Sequence, residues 1–317
     1  MKYSNLKGSL ILITAALIWG LAFVAQSGAA ELVPPFTFNA LRSFIGAAFL
    51  YGFFLLTNTK KKQPFFPKES KDRKGYYFAA VICGACLAIS INFQQFGIEA
   101  YPKEAAVEAR SGFITALYVI IVPIISVFFH KKVDLFVWLG VFIAIAGVYL
   151  LCFSNGVSGI YLGDMLVLLC AFSFSLHIMS VDKYVGLTGG VKLSIMQFLV
   201  CAVISSLLAV IFEIKEIDLG NIISAAPQIL YLGIMSSGVA YTLQIVGQKY
   251  AEPAVASISM SLESVFAAIG GFYFSQKTPS KLEIIGCSLV FAAIIIAQLP
   301  QFRKKCAINV YNLFNST

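Results

Sequence analysis

Seven side chains sit where an apolar sequence has little ordinary use for them: Trp19, Asn92, Gln95, Arg110, His177, Gln244 and Glu263. Glu263, in SLESVFAA, falls about nine residues into an apolar run, on the order of 13 Å deep at 1.5 Å per residue. A carboxyl stripped of water there has two uses. It hydrogen-bonds neighbouring helices, with Ser259, Ser261 and Ser264 placed to supply the bonds, or it exchanges protons or binds a cationic solute. His177 divides the same way, between a packed, hydrogen-bonded ring and a proton acceptor or solute contact. Arg42 and Arg110 can each grip a carboxylate through two parallel N–H bonds. The alternative is an internal ion pair with Glu31, Glu104 or Glu108. Glu108 and Arg110, two apart on one helix, cannot face the same way. Asn92, Gln94, Gln95, Gln244 and Ser261 either tie helices together or line a wet cavity. Trp19 packs at an interface or, with Gly20, lines that cavity. No metal or cofactor is expected: the only other histidine is His130, and Cys83-x-x-Cys86 has no second pair.

The elements that hold these groups come in two similar blocks. From Phe93 to Pro123 a helix end bearing Gln94, Gln95 and Gly97 leads through Tyr101-Pro102 into a helix that carries Glu104, Glu108 and Arg110. From Leu243 to Ala268 the plan returns: Gln244 and Gly247, a short loop with Pro253, then an Ala-rich helix with Glu263. Gly8-x-x-Ile-x-Ile-x-x-Ala16 likewise faces Gly163-x-x-Leu-x-Leu-x-x-Ala171, and Gly140 answers Gly286.

Hydrophobic residues make up 59% of the chain and charged ones 12%, against roughly 45–50% and 25% in soluble domains. With a mean hydropathy of +0.86, this is the composition of a polytopic membrane protein. Apolar runs fall at approximately 8–29, 36–56, 75–97, 105–129, 134–153, 163–183, 192–212, 227–247, 254–274 and 281–299, each long enough to cross about 30 Å of hydrocarbon. The expectation is an all-α membrane protein of ten transmembrane helices in two inverted five-helix repeats, 1–157 and 158–300, with a cytoplasmic basic tail, 301–317. The first run is longer than a signal core and is read as retained. An odd number of spans per half inverts the second half, and such repeats permit two packings open to opposite sides. The cavity is expected between the first, third and fourth spans of one half and the sixth, eighth and ninth of the other.

The chain's net charge of +8 would suggest nucleic acid in a soluble protein. Here seventeen Lys and Arg fall on one side of the expected topology and four on the other, with Arg42 and Arg110 inside the membrane. The positive-inside bias accounts for that split, and no nucleic-acid partner is expected.

Ten spans in two halves, Trp19-Gly20, SGFITALYVIIVP (Ser111–Pro123), Gly163-Asp164 and SLESVFAAIGG (Ser261–Gly271) resemble the EamA-type drug/metabolite transporter superfamily over nearly the whole chain. Members often carry Gly-Glu just after the ninth span, where this chain reads Ser275-Gln276, so no role is carried over for that acid. The resemblance implies an inner-membrane importer or exporter of amino acids and related metabolites, with a central cavity between the halves. The leading expectation is a secondary transporter of a small polar or amphipathic metabolite, an amino acid or related compound among them. It works by alternating access, with proton coupling and passive facilitation both open. No Walker A sequence supports ATP drive, and neither G-x-S-x-G nor H-E-x-x-H supports an intramembrane enzyme. That enzyme, and a lipid flippase or scramblase on the same fold, are the alternatives. Partners are then a small-molecule substrate and membrane lipid.

Both termini should face the cytoplasm of the plasma membrane. Cysteines replacing Asn5 or Asn315 should resist an impermeant thiol reagent in intact cells and react after permeabilisation. Labelling of either in intact cells rules the topology out.

Overall fold

The computed structural model describes residues 5–58, 64–66, 70–102, 107–129, 133–153, 161–275 and part of 281–299. Glu104, His130, Gln276, most of the basic segment 59–69 and the tail 301–317 lie outside them. In chain order the helices are α1 (Asn5–Ala30), α2 (Pro35–Asn58), α3 (Ser70–Glu99), α4 (Val107–Thr115), α5 (Tyr118–Phe128), α6 (Leu135–Phe153), α7 (Leu162–Thr188) and α8 (Gly190–Phe212). Two short helices follow, α9 (Leu219–Ser224) and α10 (Ala226–Tyr231), then a π-helical segment Leu232–Ala240, α11 (Tyr241–Gln248), α12 (Pro253–Met260) and α13 (Leu262–Ser275). The described residues between 281 and 299 are helical as well.

Among the described residues, eight helical stretches are long and apolar enough to cross a membrane, from Leu6–Ala30 to Pro253–Phe274. They match the expected first to fourth and sixth to ninth spans. The expected fifth is α6, whose apolar stretch Leu135–Gly147 is shorter, and the tenth falls on the partly described 281–299.

The distribution of side chains is that of a protein solvated by lipid. Large apolar residues such as Leu10, Leu56, Phe128, Phe142, Leu207 and Tyr273 lie on the outer surface, while Asn39, Ser43, Gln95, Ser175, Gln197 and Ser259 are fully enclosed. Lipid tails are as apolar as leucine, so apolar residues gain little by hiding from them, whereas polar groups must find partners among helices.

Connections are tight where the helices need it. Gly189, with φ +79°, turns α7 straight into α8 in a conformation costly to any residue with a Cβ. Pro35 opens α2 and Pro253 opens α12, where a missing N–H leaves no bond unmade. The start of α2 is capped from a distance: Glu213 beyond α8 accepts from Phe36 N, Thr37 N and Thr37 Oγ1 at 2.8, 2.7 and 2.8 Å. A carboxylate there complements the positive end of the helix dipole.

Glycines set the closest crossings. A Cβ on Gly163 of α7 would lie 2.6 Å from the Gly97 carbonyl of α3, and one on Gly97 would meet Val167 at 2.5 Å. A Cβ on Gly8 of α1 would lie 2.9 Å from the Gly247 carbonyl of α11, and one on Gly247 would meet Leu12 at 2.7 Å. Thus α7 crosses α3 as α1 crosses α11, through the four glycines that the sequence pairs. Gly163→Ala should lower the apparent unfolding midpoint of the detergent-solubilised protein, by the equivalent of about 1–3 kcal/mol of overpacking. Gly75→Ala, whose Cβ meets nothing within 4 Å, is the control and should not. Equal midpoints would contradict this crossing.

Candidate functional site

A partly open cavity lies in the centre of the bundle, with about 450 Å³ of empty space that includes its opening to solvent. Its wall takes Trp19, Phe23 and Gln26 from α1, Arg42 from α2, Gln94 from α3, Tyr118 from α5 and Phe174 from α7. Ser236 of the π segment, Tyr241 and Gln244 of α11, Met260 of α12 and Glu263 of α13 complete it. The six spans expected from the sequence all contribute. The second span adds Arg42, which that expectation left out.

Tyr241 is the hub of the apolar wall. Its ring meets Trp19 edge-on at 4.7 Å, Phe198 at 5.3 Å, His177 at 6.1 Å and Phe174 at 6.4 Å between centroids. Beside Trp19, α1 lies almost against α13: a Cβ on the adjacent Gly20 would be 2.8 Å from the Glu263 carbonyl. Trp19-Gly20 is therefore one ring for the wall and one gap for the backbone beside it.

Glu263 is 4% exposed, and its Oε1 has no hydrogen-bond partner among the described residues. The serines expected to serve it are engaged elsewhere. Ser259 Oγ donates to Val255 O at 2.9 Å, Ser261 Oγ to Ile258 O at 2.8 Å, and Ser264 Oγ to Ser261 O at 2.7 Å. A helical serine finds its own i−3 or i−4 carbonyl before it finds a neighbour. Tyr118 is the carboxyl's electrostatic neighbour, yet the Tyr118 hydroxyl closes no well-formed hydrogen bond either. Both groups follow a break in their span: α4 gives way to α5 at Ala116-Leu117, and α12 to α13 at Ser261.

The other sequence candidates fall into two groups. Gln244 lies on the cavity with an unpartnered Oε1, as does Trp19 with an unpartnered Nε1. His177, Gln95, Asn92 and Arg110 stand off it. His177, behind Tyr241, contacts Gln197 Oε1 through Nε2 at 3.1 Å. Gln95 donates to Gln26 O at 3.3 Å. Asn92 ties three helices, accepting from Asn39 at 2.9 Å and donating to Ser205 at 3.0 Å. Gln94, a weaker candidate in sequence, lines the cavity and donates to Thr115 Oγ1 at 3.2 Å. Tyr118, Tyr241 and Phe174 gave no sequence signal, because an aromatic in an apolar run looks like packing.

Arg110 is held by a partner that was not among the expected acids. Its Nε and Nη2 reach Asp164 Oδ1 and Oδ2 at 2.6 and 2.7 Å, with side-chain exposures of 18% and 12%. Asp164 also accepts from Tyr101 Oη and from Tyr161 N, both at 2.9 Å, capping α7. Glu108 instead accepts from Ser27 Oγ at 2.7 Å. The expectation failed because it looked for a nearby acid, and the pair spans 54 residues.

Comparison with known proteins locates this architecture. The model of the EamA-like transporter family matches residues 6–153 and again 161–298. The chain belongs to that family. An uncharacterised transporter of Archaeoglobus fulgidus is 29% identical over 93% of this chain and 87% of its own length. The uncharacterised inner membrane transporter YedA of Escherichia coli K12 is 23% identical over 90% of this chain and 89% of its own. A solved crystal structure superposes with a TM-score of 0.72 at 20% identity, over 93% of this chain and 98% of that one, which supports the fold alone. Membership of this family makes the protein a multi-pass membrane transporter and points away from an enzyme.

The Arg110–Asp164 clasp should act as a stability element. Asp164→Asn should cost on the order of 2–3 kcal/mol, since it leaves a half-buried guanidinium short of its charge partner. Combining it with Arg110→Gln should cost clearly less than the two single changes added. Thermal unfolding of the four proteins measures the difference, and strict additivity would mean that the pair is not coupled.

Proposed function

We propose that this protein is a secondary transporter of a small polar or amphipathic metabolite, an amino acid or related compound within that class. It moves its cargo across the plasma membrane by alternating access between two inverted five-helix halves, 1–157 and 158–300, with both termini in the cytoplasm. The observation that carries the reading is the central cavity, where an aromatic wall surrounds buried polar groups that the protein itself leaves unpartnered.

The packing supports the two-half arrangement. The α1–α11 crossing through Gly8 and Gly247 repeats in the α7–α3 crossing through Gly163 and Gly97. The family model matches once in each half. Gln94 and Gln244, equivalent in the two blocks, both reach the cavity. In such a pair of halves each can take the packing of the other, which opens the chamber to the opposite side. The name of the Escherichia coli relative supports the plasma membrane as the location.

Glu263 is the coupling or cargo-binding group. A carboxyl inside the bundle can carry a proton through the cycle or pair with a cationic group of the cargo. Glu263→Gln keeps shape and hydrogen bonding but cannot ionise. In proteoliposomes it should insert and fold as wild type while losing proton-gradient-driven accumulation of labelled solute. Retained exchange marks a coupling role, and lost exchange marks cargo binding. A variant with wild-type rate and pH dependence would leave Glu263 a structural role only.

A further inference from the structure

Arg42 and Arg110 are the two arginines inside the spans, and they differ in one respect. Arg110 has its acid. Arg42 is 2% exposed, and its Nε and Nη2 are buried without a hydrogen-bond partner among the described residues. No carboxylate among the described residues pairs with it. Its ring contact is Phe38, 5.8 Å away, and its electrostatic neighbours are Tyr241, Cys201 and Cys170. Nε and Nη2 form one edge of the planar guanidinium, with parallel N–H bonds spaced to meet the two oxygens of a carboxylate. Arg110 fills that same edge with Asp164 Oδ1 and Oδ2.

Arg42 stays charged under any physiological condition, and an unpaired charge out of water is costly. Arg42 is one of the residues that line the cavity, although Nε and Nη2 themselves are buried in its wall. Among the described residues the wall carries no lysine and no second arginine, so a single positive charge stands ready for a single negative one. That count disfavours a phosphate dianion.

We infer that the guanidinium of Arg42, unpaired on the cavity lining, docks the carboxylate of the cargo, with a side-chain shift that exposes its fork, so that the cavity takes organic monocarboxylates with an apolar or aromatic body. The body lies against Trp19, Phe23 and Tyr241, and Glu263 faces the remaining polar end. The inference rests on the transport reading only in naming the occupant as a solute in passage.

The test uses the purified full-length protein and four monocarboxylates, lactate, leucine, phenylalanine and 3-phenylpropionate, each beside its carboxamide at equal ionic strength. A ligand that prefers the folded state raises the unfolding midpoint. At least one acid should stabilise wild type more than its amide does. Arg42→Gln should weaken that acid's apparent affinity by about 10- to 100-fold, to the level of the amide. Arg42→Lys, which keeps the charge but not the fork, should fall between. If Arg42→Gln does not fold, the comparison of acid with amide on wild type and on Arg42→Lys still decides. The inference is overturned if no acid exceeds its amide, if inorganic phosphate alone stabilises, or if Arg42→Gln prefers the acid as wild type does. Proteoliposome counterflow of the most stabilising acid separates the two claims. Binding through Arg42 without flux overturns the transport reading and keeps the carboxylate site. Flux that still selects acid over amide in Arg42→Gln keeps transport and overturns the site.

Discussion

A polar group left unpaired in hydrocarbon costs several kcal/mol, and no water stands by to repair the loss. That penalty explains more of this structure than any apolar contact. It turns the usual arrangement outward, with leucines and phenylalanines on the surface and asparagines, glutamines and serines enclosed. It also sorts the enclosed groups. Most are satisfied by neighbouring helices, as when Asn92 joins Asn39 and Ser205 or Gln248 donates to Ile178 O at 2.9 Å. Several of those that are not, Trp19, Arg42, Tyr118, Gln244 and Glu263 among them, gather around one chamber. Others, such as Ser111, His177 and Gln197, lie away from it, but the group at the chamber combines an acid, a guanidinium and an amide around open space, and that combination makes it the candidate site.

Close approach of backbones makes the chamber possible. With little hydrophobic drive between helices in lipid, association depends on dispersion contact and interhelical hydrogen bonds, and both fall off steeply with distance. The glycine crossings at Gly8, Gly97, Gly163 and Gly247 bring α1 and α7 against helices of the opposite block. Gly20 does the same for α1 and α13 beside the Glu263 carbonyl. The elements are pinned at their flanks by contacts that admit no side chain, and the space between them is bounded rather than collapsed.

The sequence disclosed the periodic and compositional part of this arrangement. Apolar runs marked the eight described spans to within a few residues, and the paired glycines, read only as corresponding positions of two blocks, turned out to sit at the closest crossings. It disclosed less about partners. Arg110 and Arg42 looked alike in sequence, two arginines in apolar runs, each able to hold a substrate or an acid. What separates them is Asp164, more than fifty residues from Arg110 in the chain, and three-dimensional pairing at that separation has no local signature. The serines around Glu263 misled for the opposite reason. Nearness in sequence suggested bonds to the carboxyl, while the helix offered each hydroxyl a closer acceptor in its own backbone.

The eighth span was legible as apolar but not as π-helical, and that difference decides which residues reach the chamber. In an α-helix, Ser236 and Tyr241, five positions apart, would point about 140° from each other. Between Leu232 and Ala240 the backbone is instead wound with i→i+5 bonds, so residues five apart are turned much less from each other than in an α-helix. Ser236 and Tyr241 therefore share a face. The return to α geometry in α11 then keeps Gln244, three residues on, on that face as well. All three line the cavity. The breaks that precede Tyr118 and Glu263 fall on two other spans of the same wall. Regular helices would present one narrow stripe each, and an apolar stripe suits packing. The departures from regular winding bring a second set of side chains, most of them polar, to a place in the bundle where polar groups face one another across open space.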